Sequence, residues 1–397
     1  NINMINLYLF FFFCLSFSVI VDPGGNLLGL KEFFFFLTFI SGLVLVKRIP
    51  SVIMVIYIFI GLLFPVYGLL LGCIVGEYFS IEYGMMYLKA FLFISLILVS
   101  FEYGMSIGRI FSITSLLIIP ITLILWCLVG EFSEMASKAY PRDIVVISRR
   151  SFGPLLIDPC IFYKTSPLLL FGLSYLCSKK QNILTGVLLV AGFLAMFVSG
   201  TRANLFSVVL LYIYFFWVRL KKHAGLKRLF IIGIFLFGIL LLPYLMNEVF
   251  FNDNEPSLDT KTQLIDSYIQ YWNNNTLLFL FGSGLGSGIP TDVRGIEYLL
   301  EPTYFELIRF WGVILAPVTF SFLLFVPFFF FYMSHKSSAF VNGKYLFVAY
   351  LLYVFIEIPS NPLLMSSTGM IVYVVALSSS FQIYQNKSKL KYSSIYD

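Results

Sequence analysis

Charge is what this sequence has least of. Only 12% of its 397 residues are Asp, Glu, Lys or Arg, while 59% are hydrophobic and the mean hydropathy is +0.92. Soluble domains carry about 25% charged residues to cover their surface, so a soluble globular fold is excluded. Histidine is nearly missing as well, with only His223 and His335. The five cysteines (Cys14, Cys73, Cys127, Cys160 and Cys177) stand apart, in or beside apolar segments. That spacing suits neither a metal site nor a disulfide framework, and they read as small buried hydrophobes. The inverted repeat that marks many transporters is not visible either.

What the chain has in abundance is hydrocarbon, including 46 Phe and 25 Tyr. Runs such as Phe33–Phe36 and Phe328–Phe331 read as lipid-facing or packing surface. With roughly 20 apolar residues per span, the hydropathy pattern predicts an all-α, polytopic integral membrane protein of about twelve helices. The predicted cores are Met4–Val21, Leu27–Val46, Ser51–Val75, Met85–Ser100, Ile110–Val129 and Ile161–Cys177. They continue with Ile183–Ser199, Asn204–Val218, Leu229–Met246, Tyr304–Tyr332, Tyr345–Ile358 and Pro362–Ile383. Stacked membrane helices form one body, so residues 1–397 are expected as a single transmembrane domain. The first apolar run lacks a small-residue cleavage site and is expected as a retained helix rather than a removed signal.

Basic residues orient such a bundle, because cytoplasmic connections retain Lys and Arg. With both termini inside, fifteen of the 26 Lys and Arg fall on inner segments, against only Glu102 and Asp397. Both histidines then lie inside, so chemistry on the outer face must use carboxylates, arginines, tyrosines and amides. Two outer connections are long enough to be functional, a smaller loop at 130–160 and a larger one at 247–303 between the ninth and tenth spans. The smaller loop has a mixed helical pattern and holds Arg142, Arg149 and Arg150.

Six of the ten arginines are outer: Arg142, Arg149, Arg150, Arg202, Arg294 and Arg309. Arginine grips phosphate with a planar fork, which a lysine point charge cannot do. Arg202 is the sharpest case. It sits in Ser199-Gly200-Thr201-Arg202-Ala203-Asn204, a tight connection between two apolar helices, where a charge defaults to a functional hypothesis. Interfacial snorkelling is the competing reading. Glu301 and Glu306 stand where the larger loop returns to the membrane, with Arg309 one turn beyond Glu306. An i,i+3 ion pair explains Glu306 with Arg309, and a helix-dipole contact explains Glu301; either carboxylate is otherwise a candidate general base. Tyr271, Trp272 and Tyr304 are candidates to stack on sugar rings, or else interfacial anchors. The glycines at 282, 284, 286 and 288 lack a βαβ context for nucleotide binding and predict a close turn against the bilayer surface.

Thr201-Arg202 after an apolar helix, Phe281-Gly282-Ser283-Gly284-Leu285-Gly286, and Glu301-Pro302-Thr303-Tyr304-Phe305-Glu306-Leu307 closing on Trp311-Gly312 carry a resemblance. In order and spacing, and in the long outer loop, this half of the chain resembles the O-antigen polymerase and O-antigen ligase superfamily. The resemblance implies a metal-independent glycosyltransferase of the bacterial inner membrane, without cofactor, working at its periplasmic face. Its expected donor and acceptor are glycans on undecaprenyl diphosphate, set among membrane lipids. A chain-length regulator is a further expected partner, and no nucleic acid is. Carried over, Arg202 would hold the donor diphosphate, with Arg149, Arg150, Arg294 and Arg309 in support, and Glu301, then Glu306, would serve as base. Ligases of the superfamily often place a histidine where Glu301 stands. The polymerase reading is therefore preferred, with a ligase as the enzyme alternative and a lipid-linked oligosaccharide flippase as the alternative of another class.

Overall fold

The structure, a computed structural model, describes the chain except residues 1, 26–28, 130–143, 153–154, 221–224, 226–255, 292–294, 300–302, 362 and 397. In chain order the first helices are α1 (Ile2–Val21), α2 (Lys31–Leu45), α3 (Ser51–Val75), α4 (Ile81–Ser100) and α5 (Gly104–Leu128). An antiparallel hairpin of β1 (Val145–Phe152) and β2 (Leu155–Tyr163) precedes α6 (Ser166–Ser178), α7 (Ile183–Val198) and α8 (Arg202–Arg219). Next come α9 (Pro256–Asn274), α10 (Thr276–Phe281) and a small hairpin of β3 (Ile289–Thr291) with β4 (Gly295–Glu297). The chain closes with α11 (Thr303–Ser334), α12 (Ser338–Glu357) and α13 (Ser367–Tyr396).

Among the described residues, seven helices (α1, α3, α4, α5, α8, α11 and α12) are long and apolar enough to cross a membrane, and α6 and α7 are shorter apolar helices. Their Val, Ile and Phe content favours strands in water. In hydrocarbon a spanning segment must satisfy every backbone group within itself, and only the helix does so for a single span. The expected ninth span, Leu229–Met246, lies outside the described residues.

At the centre is α13, where Met370–Leu377 are all essentially inaccessible. A helix apolar on every side has no solvent face and ends up surrounded. Its serines let other helices approach: Ser378 Oγ meets Ser100 Oγ at 2.7 Å and Ser379 Oγ donates to Gly104 O at 2.7 Å. A Cβ at Gly104 would lie 2.1 Å from Ser378 O, so the two backbones touch where only glycine fits. The phenylalanine runs divide by helical phase. Phe33, Phe36 and Phe329 are exposed around the bundle, while Phe35, Phe330 and Phe331 are in the core.

Two expectations are corrected. The smaller loop is not helical where it is described: Val145–Phe152 pairs with Leu155–Tyr163, the β-branched Val145, Val146, Ile147 and Ile161 at its open end favouring the pleated form. The expected sixth span therefore begins at Ser166, because Ile161 and Tyr163 belong to β2. Tyr163 Oη donates to Ile20 O at 2.6 Å, which fixes the hairpin to the end of α1.

The glycine turn differs from expectation too. Residues 282–289 are buried inside the helical body rather than spread over its surface. Gly312 (φ 67°) breaks α11, which frees the carbonyls of the preceding turn. The glycine turn supplies the missing donors: Ser283 N donates to Arg309 O at 2.7 Å and Gly284 N to Phe310 O at 3.2 Å. On its other side Leu285 N donates to Gly68 O of α3 at 2.7 Å, and its side chain is fully buried. A Cβ on Gly284 (φ +80°) would stand 2.0 Å from Gly72 N. Gly284→Ala should therefore cost more than about 1 kcal/mol, from the positive φ and the clash together. Gly186→Ala on α7, whose Cβ meets nothing within 4 Å, should be neutral or stabilise by up to about 1 kcal/mol. Thermal unfolding of both variants in detergent checks the contrast.

Candidate functional site

The connections at one end of the bundle contact one another: β2 meets the end of α1, Ser80 N donates to Gly286 O at 2.8 Å, and Thr303 Oγ1 donates to Asn361 O at 3.0 Å. This loop end carries every sequence-predicted site residue that is described.

Arg309 and Glu306 form its most buried charge pair. The i,i+3 spacing puts them on one face of α11, and Arg309 donates to Glu306 Oε2 through Nε at 2.7 Å and Nη2 at 2.5 Å. Arg309 Nη2 also donates to Tyr298 O at 3.0 Å, and Nη1 donates to Ser287 O. One guanidinium thus holds both the glycine turn and the β3–β4 hairpin against α11. Tyr87 Oη adds a bond to Tyr298 O at 2.8 Å, and Tyr83 stacks on the Tyr298 ring at 4.3 Å. With 0% exposure and these internal acceptors, Arg309 has no face left for a diphosphate. In this structure Arg309 serves as an internal clasp. Glu306 is its counter-ion, buried against it.

The aromatic candidates sit over this clasp. On α9, Leu264, Tyr268 and Tyr271 recur at helical spacing and bury one face against Leu278 and Ile289, forming a second small core. Trp272 stacks on Phe305 (6.0 Å, 17°) and packs against Tyr268 and Phe279. Burial pushes the Tyr271 hydroxyl up to about 12, with Glu77 contributing, so it stays protonated. Tyr304 Oη donates to Val354 O at 2.6 Å, anchoring α11 to α12. In this structure Tyr271 and Trp272 pack in the second small core, and Tyr304 packs against the main one.

Arg202 lies elsewhere on the loop end. It opens α8, half-buried, after a turn in which Gly200 takes φ +65°. Two residues on, Asn204 is fully buried and donates to Ser166 Oγ and Ser199 Oγ, each at 2.8 Å. Further along the same helix, the Ser207 hydroxyl faces the Glu357 carboxylate of α12. Glu357 is 0% exposed, and its Oε2 accepts from Asn361 Nδ2 at 3.2 Å. Asn361 O in turn receives Thr303, the first residue of α11. A continuous buried polar path thus runs from the Arg202 helix to the return of the larger loop.

Arg149 is exposed on β1 and pairs with Asp158 across the hairpin at 2.8 Å. The backbone of Arg150 lies opposite Ile157, and its side chain is outside the described residues, as are Arg294 and Glu301. Sequence reasoning missed Glu357, Asn361, Asn204 and Ser207. A signal was present: Glu357 is the lone carboxylate closing an apolar span, and intramembrane charges default to function.

Comparison with known proteins finds no family model that matches the chain and no curated protein that matches it. The fold and the position of the site define an all-α, multi-pass membrane protein with a polar site at the loop end of its helices.

Removing one partner of a buried ion pair leaves an uncompensated charge, at a cost of about 3–5 kcal/mol. Glu306→Ala is accordingly expected to lower detergent thermal stability strongly. Arg309→Lys should fail nearly as badly, since an ammonium cannot span three acceptors in one plane. A Glu306→Ala protein as stable as the wild type would refute the clasp.

Proposed function

We propose that the chain is an O-antigen polymerase, joining undecaprenyl-diphosphate-linked oligosaccharide repeat units at the periplasmic face of a bacterial inner membrane. The loop end is taken as periplasmic, on the strength of the basic residues that crowd the other connections. One observation carries the reading. The motif around Arg202 and the motif that begins at Glu301 are about a hundred residues apart in sequence, yet the Ser207–Glu357–Asn361–Thr303 path connects them. A donor diphosphate and an acceptor hydroxyl need this arrangement, with a cation on one side and oxygen acceptors on the other.

In this reading Arg202 receives the charge that develops on the departing diphosphate. Its planar fork can bond two phosphate oxygens at once, and a preorganised donor costs no reorganisation during the reaction. Half burial at a helix N-terminus adds a favourable dipole for the anion. A diphosphate is a good enough leaving group to need no protonation. Glu301 remains the sequence-based candidate for the base, Arg149, Arg150 and Arg294 for further diphosphate contacts, and Tyr271, Trp272 and Tyr304 for sugar contacts. His335 closes α11 at the opposite end of the bundle, stacked on Tyr332 at 5.4 Å, and His223 lies outside the described residues.

Arg202→Ala should leave membrane insertion intact and abolish long glycan chains. Normal chain length on a lipopolysaccharide gel of that variant would sink the assignment. Deletion of the gene should leave a single-repeat band; loss of all O-antigen with polymer held on the carrier would mean a ligase instead. EDTA should leave elongation unchanged, and an activity lost to EDTA and restored by a divalent ion would contradict the metal-independent mechanism.

A further inference from the structure

We propose that Glu357, a residue outside both sequence motifs, is the proton acceptor of this site; the inference rests on the polymerase reading. Four buried polar atoms at the α8–α12 contact hydrogen-bond to no described residue: Glu357 Oε1, Asn204 Oδ1, Ser207 Oγ and the Tyr353 hydroxyl. Glu357, Asn204 and Ser207 are 0% exposed and Tyr353 is 1% exposed. Buried polar atoms are paired in nearly all native structures, so such a cluster is a place built for something that is not part of the chain. Two of the atoms, a carboxylate oxygen and an amide oxygen, only accept. The hydroxyls of Ser207 and Tyr353 donate or accept. The ligand chemistry that suits this set is a hydroxyl group, and a sugar acceptor brings several.

The geometry also separates Glu357 from the other carboxylates at this end. Glu306 is paired with the Arg309 guanidinium inside the clasp. No basic side chain among the described residues is bonded to Glu357: Oε2 accepts from the neutral amide of Asn361, and the neutral Ser207 hydroxyl faces the carboxylate. A carboxylate buried without a cation is poised to take a proton. Arg202 opens the same helix half-buried, and Asn204 and Ser207 follow it along α8 fully buried.

The step balances as follows. The acceptor hydroxyl oxygen forms a bond to the anomeric carbon of the donor glycan, and the bond from that carbon to the diphosphate oxygen breaks. The electron pair of that bond leaves on undecaprenyl diphosphate, beside Arg202. The hydroxyl proton passes to Glu357, directly or through one water, and returns to solvent before the next turnover.

The test uses the full chain in proteoliposomes, supplied with undecaprenyl-diphosphate-linked repeat units and assayed for chain elongation. Glu357→Gln keeps the shape, and its amide oxygen can still accept from Asn361, so a purely structural role tolerates it. We expect kcat to fall at least about 100-fold with KM within a few-fold, the usual scale of general-base catalysis. An E357Q protein elongating at the wild-type rate overturns the inference while leaving the polymerase reading in place. A wild-type protein that does not elongate these substrates overturns the reading itself. If E357Q fails to fold, Glu357→Ala with added formate decides: restored elongation supports the proton acceptor, and a folded protein that formate does not rescue refutes it.

Discussion

The break in α11 at Gly312, and the glycine turn seated in it, is the constraint on which the loop end depends. A helix broken inside an apolar body exposes carbonyls that nothing in a bilayer can satisfy. The amides of Ser283 and Gly284 satisfy those of Arg309 and Phe310, and a Cβ at Gly312 would stand 2.2 Å from Leu280 O. Each partner therefore requires the other: the turn has no seat without the kink, and the kink no donors without the turn. Arg309 then closes the arrangement by holding the carbonyls of Ser287 and Tyr298 and the carboxylate of Glu306 in one plane. A chain segment that sequence describes as a surface loop becomes a wedge between α3 and α11.

That wedge makes the loop end rigid on one side and leaves a different character on the other. The Nε, Nη1 and Nη2 of Arg309 all have acceptors inside the protein. Around Glu357, Asn204, Ser207 and Tyr353 the polar atoms are equally buried but hydrogen-bond to no described residue. The cost of burying polar groups is met internally in the first cluster, and in the second it calls for a ligand. This contrast assigns structure to one and chemistry to the other, although both contain a glutamate and both lie at membrane-helix ends.

Much of the architecture was legible from the residues alone. Scarcity of charge and long apolar runs require membrane helices, because the bilayer leaves the backbone no other single-span solution. Helix α7 falls where the hydropathy pattern expects it, and it opens on a capping box in which Asn182 and Thr185 exchange hydrogen bonds at 2.7 and 2.8 Å. The β1–β2 hairpin was not legible as such, since Val, Ile and Phe suit a membrane helix and a strand alike and short apolar runs do not separate the two. The pairing of Glu306 with Arg309 was predicted from spacing, but spacing is the same for an exposed pair and for one at 5% and 0% exposure.

By itself, then, the sequence determined class, helical content and the candidate importance of Arg202, because hydropathy and charge are local properties that the bilayer reads directly. Only the tertiary structure decided which charges are internal. Burial depends on what other segments bring to a residue: Ser287 and Tyr298 reach Arg309, and Ser207 of α8 reaches Glu357 of α12. The glycines show the same division most plainly. Their spacing announces a tight turn, but whether that turn lies on a lipid surface or inside α11 is fixed by the shape of its partners, Gly68, Gly72 and Gly312.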